Sequence, residues 1–371
     1  MKQHHFGFIL EQALGHITHT QNLQVNIARD PSVRASWGLV PFDTTGLARY
    51  LPVYKSNWTV RAGWRARQQV KHIVRESAPD ALFFHTQVPA ILSTNWIKHY
   101  PSVVSLDATP IQYDSLGQAY SHEPGPLWLE KLKWQLNRDC FRAARHLVTW
   151  SSWAKAGLVA DYEVPAEKIT VIPPGVNPLE WAPPDTPSAS DQPTRVLFVG
   201  GDLERKGGNI LLAAFRRLRH LNVELHLVTR TQLAPEEGVY VYSNLKPNSP
   251  ELKQLYHQSD LFCLPTYGDC LPMVLSEAGA AGLPSISTRV AAIPEVVRDG
   301  ESGLIVPVGD SDALHDALHR LILQPAERRQ MGKRAMAVVR QHFDAQRNAE
   351  RLIELLKLVS LPVAQKAQAP V

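Results

Sequence analysis

Short apolar runs recur along the chain, separated by segments with helical periodicity. Phe6–Leu10, Ala81–His85, Val103–Asp107 and His146–Trp150 are apolar at most positions, and the second and third end on polar residues. Runs this short and uniform read as strands buried on both faces. Between them, Gly15–Asn22 reads as a glycine turn entering a helix, Ser151-Ser152 as a helix cap, and Lys168–Asn177 closes the first half. The pattern restarts at Arg195–Gly201, a strand into a glycine turn. The strands Glu224–Val228, Val239–Tyr242 and Leu261–Pro265 follow, with helices over Asn209–Leu218 and Glu251–Gln258. The tail from Pro325 to Val359 is helical. Alternating strands and helices predict an α/β protein with doubly wound parallel sheets. The predicted layout is a Rossmann-like lobe over 1–180, a Pro-rich linker over 181–194, a second Rossmann-like lobe over 195–345, and a C-terminal segment over 346–371 that ends in a frayed tail. Open sheets of this kind bind ligands at strand C-termini, so a cleft between facing strand ends is the expected site.

Composition narrows the classes. The 371 residues are 44% hydrophobic and 20% charged, with a formal net charge of +4. That suits a globular protein of two ordinary domains. No Lys/Arg block is long enough for a nucleic-acid-binding arm, so no nucleic-acid partner is expected. Cys140, Cys263 and Cys270 have neither metal spacing nor an even framework, and read as reduced thiols of a cytoplasmic protein. Met1–Leu10 reads as a first strand rather than a secretory leader, and no run approaches the roughly twenty apolar residues of a membrane span.

The densest chemistry lies in Asp269-Cys-Leu-Pro-Met-Val-Leu-Ser-Glu277, two carboxylates flanking a helix start after a strand. Pro272 fits a first helical turn, where a missing N–H costs nothing. Free N–H groups near Leu271 and Met273, with the positive helix end, form an anion site. Glu277, about one turn further in, suits a neutral diol such as a ribose. A site taking a diphosphate on N–H groups and hydroxyls on carboxylates fits a sugar nucleotide.

The segment from Asp269 to Glu277, continuing through Ala278-Gly-Ala-Ala-Gly-Leu-Pro-Ser-Ile-Ser287, Ile293-Pro-Glu-Val-Val297 and Gly300-Glu-Ser-Gly-Leu-Ile-Val-Pro307, resembles the signature of family 4 glycosyltransferases. The first acid of the family's usual Glu pair is Asp269 here. The resemblance implies the GT-B fold, with two Rossmann-like domains facing a central cleft. It implies retaining transfer of a hexose-type sugar from UDP or GDP, less often ADP, to a hydroxyl. It implies no metal and no cofactor, and it implies no protein nucleophile, because the leaving phosphate helps deprotonate the acceptor from the same face. It also implies that the C-terminal helix crosses back onto the first domain.

Residue roles follow from that resemblance. Gly200-Gly-Asp-Leu-Glu-Arg-Lys-Gly-Gly208 is either an ordinary strand-to-helix turn or a phosphate loop. In the second reading Lys206, with Arg205, stabilises the charge loaded on the leaving diphosphate. The family's Arg beside the first glycine is Gly201 here. Asp269 meets sugar hydroxyls and Glu277 the ribose. The base sits near Thr229–Arg230 and Asn244–Leu245. In the first lobe, Gly15 allows close approach of a phosphate or sugar, and His16, His85, Asp107 and Thr109 are acceptor or sugar contacts. Family members often place a His where this chain has Asp107, and capping is the alternative role there. His16 with His19, Asp310 with Asp312, and His315 with His319 mimic metal-binding pairs. Helix faces and caps are the simpler readings, and no metal site is assigned.

Two basic helices, over 61–75 and 128–145, carry interfacial tryptophans. They are solvated amphipathic faces or contacts to anionic lipid headgroups. The second reading leaves a lipid-linked acceptor and peripheral attachment to the cytoplasmic membrane face open, beside a sugar or polysaccharide acceptor. Two other functions fit the same residues: a GT-B sugar-nucleotide epimerase, and a non-catalytic nucleotide-sugar binder. An NAD enzyme is disfavoured, because no Gly-x-Gly-x-x-Gly follows the first strand.

Overall fold

The computed structural model describes residues 3–13, 15–43, 57–117, 125–183 and 192–362. The chain divides into two compact units. One comprises Met1–Asp114, Glu123–Pro174 and Ala345–Val371; the other comprises Ser115–His122 and Gly175–Asp344.

In the first unit, six parallel strands are ordered β2-β1-β3-β4-β5-β6. They are β1 (His4–Gln12), β2 (Val33–Pro41), β3 (Ala81–His85), β4 (Ser102–Leu106), β5 (His146–Thr149) and β6 (Ile169–Val171). β3 and β4 are buried at every position, which explains their largely apolar pattern. One face of the sheet packs Ile9, Leu82 and Phe84 against Ala62, Ala66, Val70 and Ile73 of the helix Trp58–Glu76. The other face packs Phe6, Phe8 and Phe83 against Leu23 and Ile27 of the helix His16–Ile27. Leu352, Ile353 and Leu356 of the helix Ala345–Ser360 join that face. The C-terminal helix therefore completes the core of the first unit.

The second unit holds β7 (Thr194–Val199), β8 (Val223–Val228), β9 (Val239–Tyr242), β10 (Leu261–Leu264), β11 (Ser285–Thr288) and β12 (Gly303–Val306). Their order is β12-β11-β10-β7-β8-β9, again all parallel. In both sheets the order reverses beside the first strand, between β1 and β3 and between β7 and β10. Loops diverge at such points and leave a crevice at the strand C-termini.

Trp181, which begins the predicted linker, is instead buried in the second unit. It ends the short helix Pro178–Trp181 and meets Tyr256 edge-to-face at 5.1 Å. Residues 184–191 of that linker and 363–371 of the predicted frayed tail lie outside the described residues. Asp310 caps the helix Ser311–Leu323, accepting from Asp312 N and Ala313 N, so the capping reading is the one the structure shows. The three cysteines are buried and unbridged. Among the described residues no helix is long and apolar enough to cross a membrane, and no group of three or more His, Cys, Asp or Glu is placed to hold a metal.

Candidate active site

The reversal point of the second sheet gathers the predicted charges. The loop after β7 turns through Gly207, at φ +76°, in the left-handed region that favours glycine. A Cβ there would lie 2.0 Å from the Pro265 carbonyl oxygen, so the loop closes directly onto the end of β10. This approach brings Lys206 to Asp269: Nζ lies 2.5 Å from Oδ2. Thr266 Oγ1 donates to the same oxygen at 3.1 Å. Both side chains of the ion pair are mostly withdrawn from solvent, at 14% and 12% exposure, where their attraction is screened less than at a surface. The cation is therefore already partnered.

Arg205 is more heavily engaged. Its Nη1 donates to the Gly268 carbonyl at 2.8 Å and lies 3.7 Å from Asp269 Oδ1, while its Nε is 3.4 Å from Asp202 Oδ2. Its backbone carbonyl accepts from Tyr267 N. Arg205 thus fastens the 200–208 loop to the 265–269 loop.

The helix Met273–Ala280 starts just beyond, with Pro272 as its N-cap at φ −72° and ψ 118°. Leu271 and Met273 are buried beside it. Glu277 is buried one turn in, and its carboxylate accepts from Tyr256 Oη at 2.9 Å. Burial pushes its pKa up to about 7, against the opposing pull of the Tyr256 hydrogen bond. Burial, reinforced by the Glu277 charge, pushes the Tyr256 phenol up as well. Sequence reasoning missed Tyr256 and Thr266. Tyr256 sits 21 positions from its partner on the helix Pro250–Gln258, and no local pattern marks it.

Thr229 is buried at the end of β8, and its hydroxyl accepts from Thr231 N. Arg230 follows, exposed, with its guanidinium Nε 3.0 Å from where a Cβ on Gly201 would stand. Asn244 is exposed and Leu245 half-buried in the turn after β9.

At the reversal point of the first sheet, Gly15 precedes the helix His16–Ile27, and a Cβ there would meet nothing within 4 Å. His16 Nδ1 and His85 Nε2 share a hydrogen bond of 2.9 Å. His19 joins them through ring contact with His85 at 4.9 Å, and Trp150 stacks on His85 at 4.9 Å and 9°. Burial, with the neighbouring imidazoles, drives the His19 pKa down to about 3 and that of His85 well below its usual range. His19 and His85 are thus neutral imidazoles packed against the Trp150 indole. Among the described residues His85 Nδ1 has no hydrogen-bond partner.

Asp107 is half-buried after β4. Thr109 is a correction to the sequence reading. It is fully buried, its Oγ1 accepts from Gln112 N, and its own N–H donates to Gln112 Oε1. Its hydroxyl is spent on starting the helix Pro110–Ser115 and is closed to a sugar.

On the helix Trp58–Glu76 the solvated amphipathic reading holds: Trp64, Arg67, Lys71 and Arg75 are exposed, opposite buried Ala62, Ala66, Val70 and Ile73. Arg61 is buried between Trp58 and Phe42, 5.1 and 5.7 Å from the ring centroids. Arg65 pairs with Asp43, and Arg67 donates to the Leu92 carbonyl. Arg61 and Arg65 are thus withdrawn from the solvated face, while Arg67 stays exposed. The helix Leu127–Ala143 instead exposes Trp128, Leu132 and Leu136 at four-residue spacing, with Leu127 beside them.

Two family descriptions cover most of this architecture. "Glycosyltransferase Family 4" matches residues 27–179 and "Glycosyl transferases group 1" matches residues 193–324. The chain belongs to the family 4 glycosyltransferases. A curated relative is the MMP alpha-(1->4)-mannosyltransferase of Mycolicibacterium hassiacum, 30% identical over 209 residues, which are 53% of this chain and 50% of that protein. The chain thus spans about half the length of the curated relatives it matches. Among solved structures, sucrose-phosphate synthase from Thermosynechococcus elongatus superposes with a TM-score of 0.75 at 17% identity, covering 96% of this chain and 98% of that one. Anabaena HepE in complex with UDP-glucose gives 0.68 at 17% identity, covering 95% and 99%. At such identities these two show the shared fold, so this chain has the GT-B fold.

Proposed function

We propose that this glycosyltransferase moves a hexose-type sugar from a nucleoside diphosphate donor, UDP or GDP before ADP, to a hydroxyl acceptor with retention of anomeric configuration. The observation that carries the reading is the convergence of Lys206, Asp269 and the start of the helix Met273–Ala280 at the reversal point of the second sheet. Bond breaking at the anomeric carbon sends an electron pair onto the diphosphate. Lys206 and the helix N-terminus are the groups placed to hold that charge. Asp269 orients Lys206 and accepts from a sugar hydroxyl. Glu277, kept from water, accepts from the ribose diol. Thr229, Asn244 and Leu245 border the base. The acceptor hydroxyl passes its proton to a leaving phosphate oxygen on the same face, so no covalent enzyme intermediate is needed. HepE is described with UDP-glucose and the Mycolicibacterium relative as a mannosyltransferase, which supports a nucleotide-linked hexose as donor.

His16, His85 and Asp107 are the residues of the first unit proposed to meet donor sugar or acceptor. A lipid-linked acceptor, with docking on the cytoplasmic face of a membrane, is supported by the exposed Trp128, Leu132 and Leu136 beside Lys131. Thermal shift against UDP, GDP and ADP sugars, followed by product analysis, tests the donor. A stabilising donor whose sugar appears on an acceptor with its anomeric configuration kept is the expected result. Inversion, or no stabilisation by any of the three, refutes the reading. Failure to co-sediment with anionic vesicles at low salt refutes the membrane contact alone.

A further inference from the structure

We infer that Arg230 is the second diphosphate-binding cation of this site, reaching the phosphates across the gap left by Gly201. This rests on the donor reading above and assigns Arg230 a different partner from the base that the sequence suggested. The backbone sets up the placement. β7 and β8 are adjacent and parallel, Val199 pairs with Val228, and Gly200 N donates to the Val228 carbonyl at 2.9 Å. Gly200-Gly201 and Thr229-Arg230 therefore leave the sheet side by side, at one level.

The two glycines each abut a different cation. A Cβ on Gly200 would lie 3.0 Å from the Cβ and Cγ of Lys206. A Cβ on Gly201 would lie 3.0 Å from Nε and 3.1 Å from Nη2 of Arg230. The guanidinium thus lies against the site where a side chain at position 201 would start, one residue from the stem of Lys206. Any larger residue at 201 would displace it.

The cations differ in what already holds them. Lys206 is paired with Asp269, and Arg205 is tied to Gly268, Asp269 and Asp202. Among the described residues Arg230 has neither a hydrogen bond nor an ion pair. An exposed guanidinium with its planar fork uncommitted, at the reversal point of an α/β sheet and next to a partnered lysine, matches the bidentate geometry of a phosphate. Two cations around the diphosphate also suit the two negative charges that it carries away on bond breaking.

The test compares di- and monophosphates on the full chain. Titration calorimetry with UDP, GDP and ADP identifies the nucleotide bound, and the matching monophosphate is then measured by competition. Arg230→Ala is expected to weaken the diphosphate about tenfold or more and the monophosphate much less, collapsing the preference between them. The double variant Gly201→Arg with Arg230→Ala is expected to recover most of that preference, because the new side chain starts where the old guanidinium lay. Equal loss of both nucleotides in Arg230→Ala would place Arg230 on the base and overturn the inference. An unchanged preference, with Lys206→Ala still losing the diphosphate, would overturn it and leave the donor reading intact. A wild-type protein that binds none of the three diphosphates would overturn the donor reading and this one together. Circular dichroism of each variant excludes unfolding as the cause.

Discussion

The two sheets reverse their strand order in the same way yet fill the resulting crevices with opposite chemistry. After β7 and β10 the second unit places Lys206, Arg205, Asp269 and Arg230, charged groups of which three are mutually engaged. After β1 and β3 the first unit places His16 and His85, with His19 and Trp150 packed on them, and burial holds His19 and His85 neutral. A departing diphosphate calls for fixed positive charge. A saccharide hydroxyl calls for neutral donors and acceptors and a flat apolar ring. One topology thus supplies two different solvents for the two ends of a proposed transfer reaction.

The contrast can be broken or sharpened by experiment. The largest expected effect is on the fold of the charged crevice. Gly207→Ala forces a Cβ onto the Pro265 carbonyl at a left-handed φ, and a loss of about 3 kcal/mol or more is expected in urea unfolding. A variant of wild-type stability would mean that the two loops are not locked together.

Lys206→Ala should leave the fold intact and lower transfer by about a hundredfold, the usual consequence of removing one group that stabilises developing negative charge. Near-normal turnover would remove the lysine from the mechanism.

The two crevices should also respond to pH with opposite signs. Glu277 titrates near 4.5 when unfolded and about 7 when folded, so the native state holds the extra proton between those values. Its contribution is fully present below pH 4.5, is lost as pH rises through 7, and leaves a deficit above. Glu277→Gln should therefore melt roughly 5 °C higher than wild type at pH 8 and no higher at pH 4, while losing nucleotide affinity. An equal shift at both pH values would contradict the buried, protonated carboxyl.

His19 behaves in reverse. Its unfolded form takes up a proton near 6.5 and its folded form only at about 3, so stability falls as pH drops between them. Replacing it by Leu should flatten that acid limb, a change of about 2 °C in melting temperature at pH 5. The Trp150 fluorescence of the wild type should stay flat through pH 6.5, and a titration near that value in the folded protein would argue against neutral His19 and His85.

Much of the charged crevice was legible because its residues lie in two short stretches, 200–208 and 269–277, with glycine, proline and acid in order. Fully buried strands such as β3 and β4 were equally readable as apolar runs. β2 escaped notice because it is an edge strand: Arg34, Ser36 and Gly38 interrupt it, and Pro41 ends it. β11 and β12 were absorbed into the family signature; three of the four residues of Ser285-Ile-Ser-Thr288 are buried hydroxyls, so β11 does not run apolar. The neutral crevice was only half visible. His16 and His85 were singled out one at a time, but nothing in sequence brings His19 and Trp150 to them, because 131 positions separate those two. Pairings made by the sheet rather than by the chain, such as Glu277 with Tyr256 or Arg230 with Gly201, leave no local trace.

The helix Ala345–Ser360 gives the molecule a built-in schedule. Leu352, Ile353 and Leu356 fill a core begun by Phe6 and Phe8, so the first half to leave the ribosome is the last to be finished. The intervening unit, complete once Asp344 emerges, has its own sheet and core and can consolidate while its predecessor waits for a missing wall. A nascent chain halted before that helix would carry bare phenylalanines on one sheet face, a surface suited to chaperone capture.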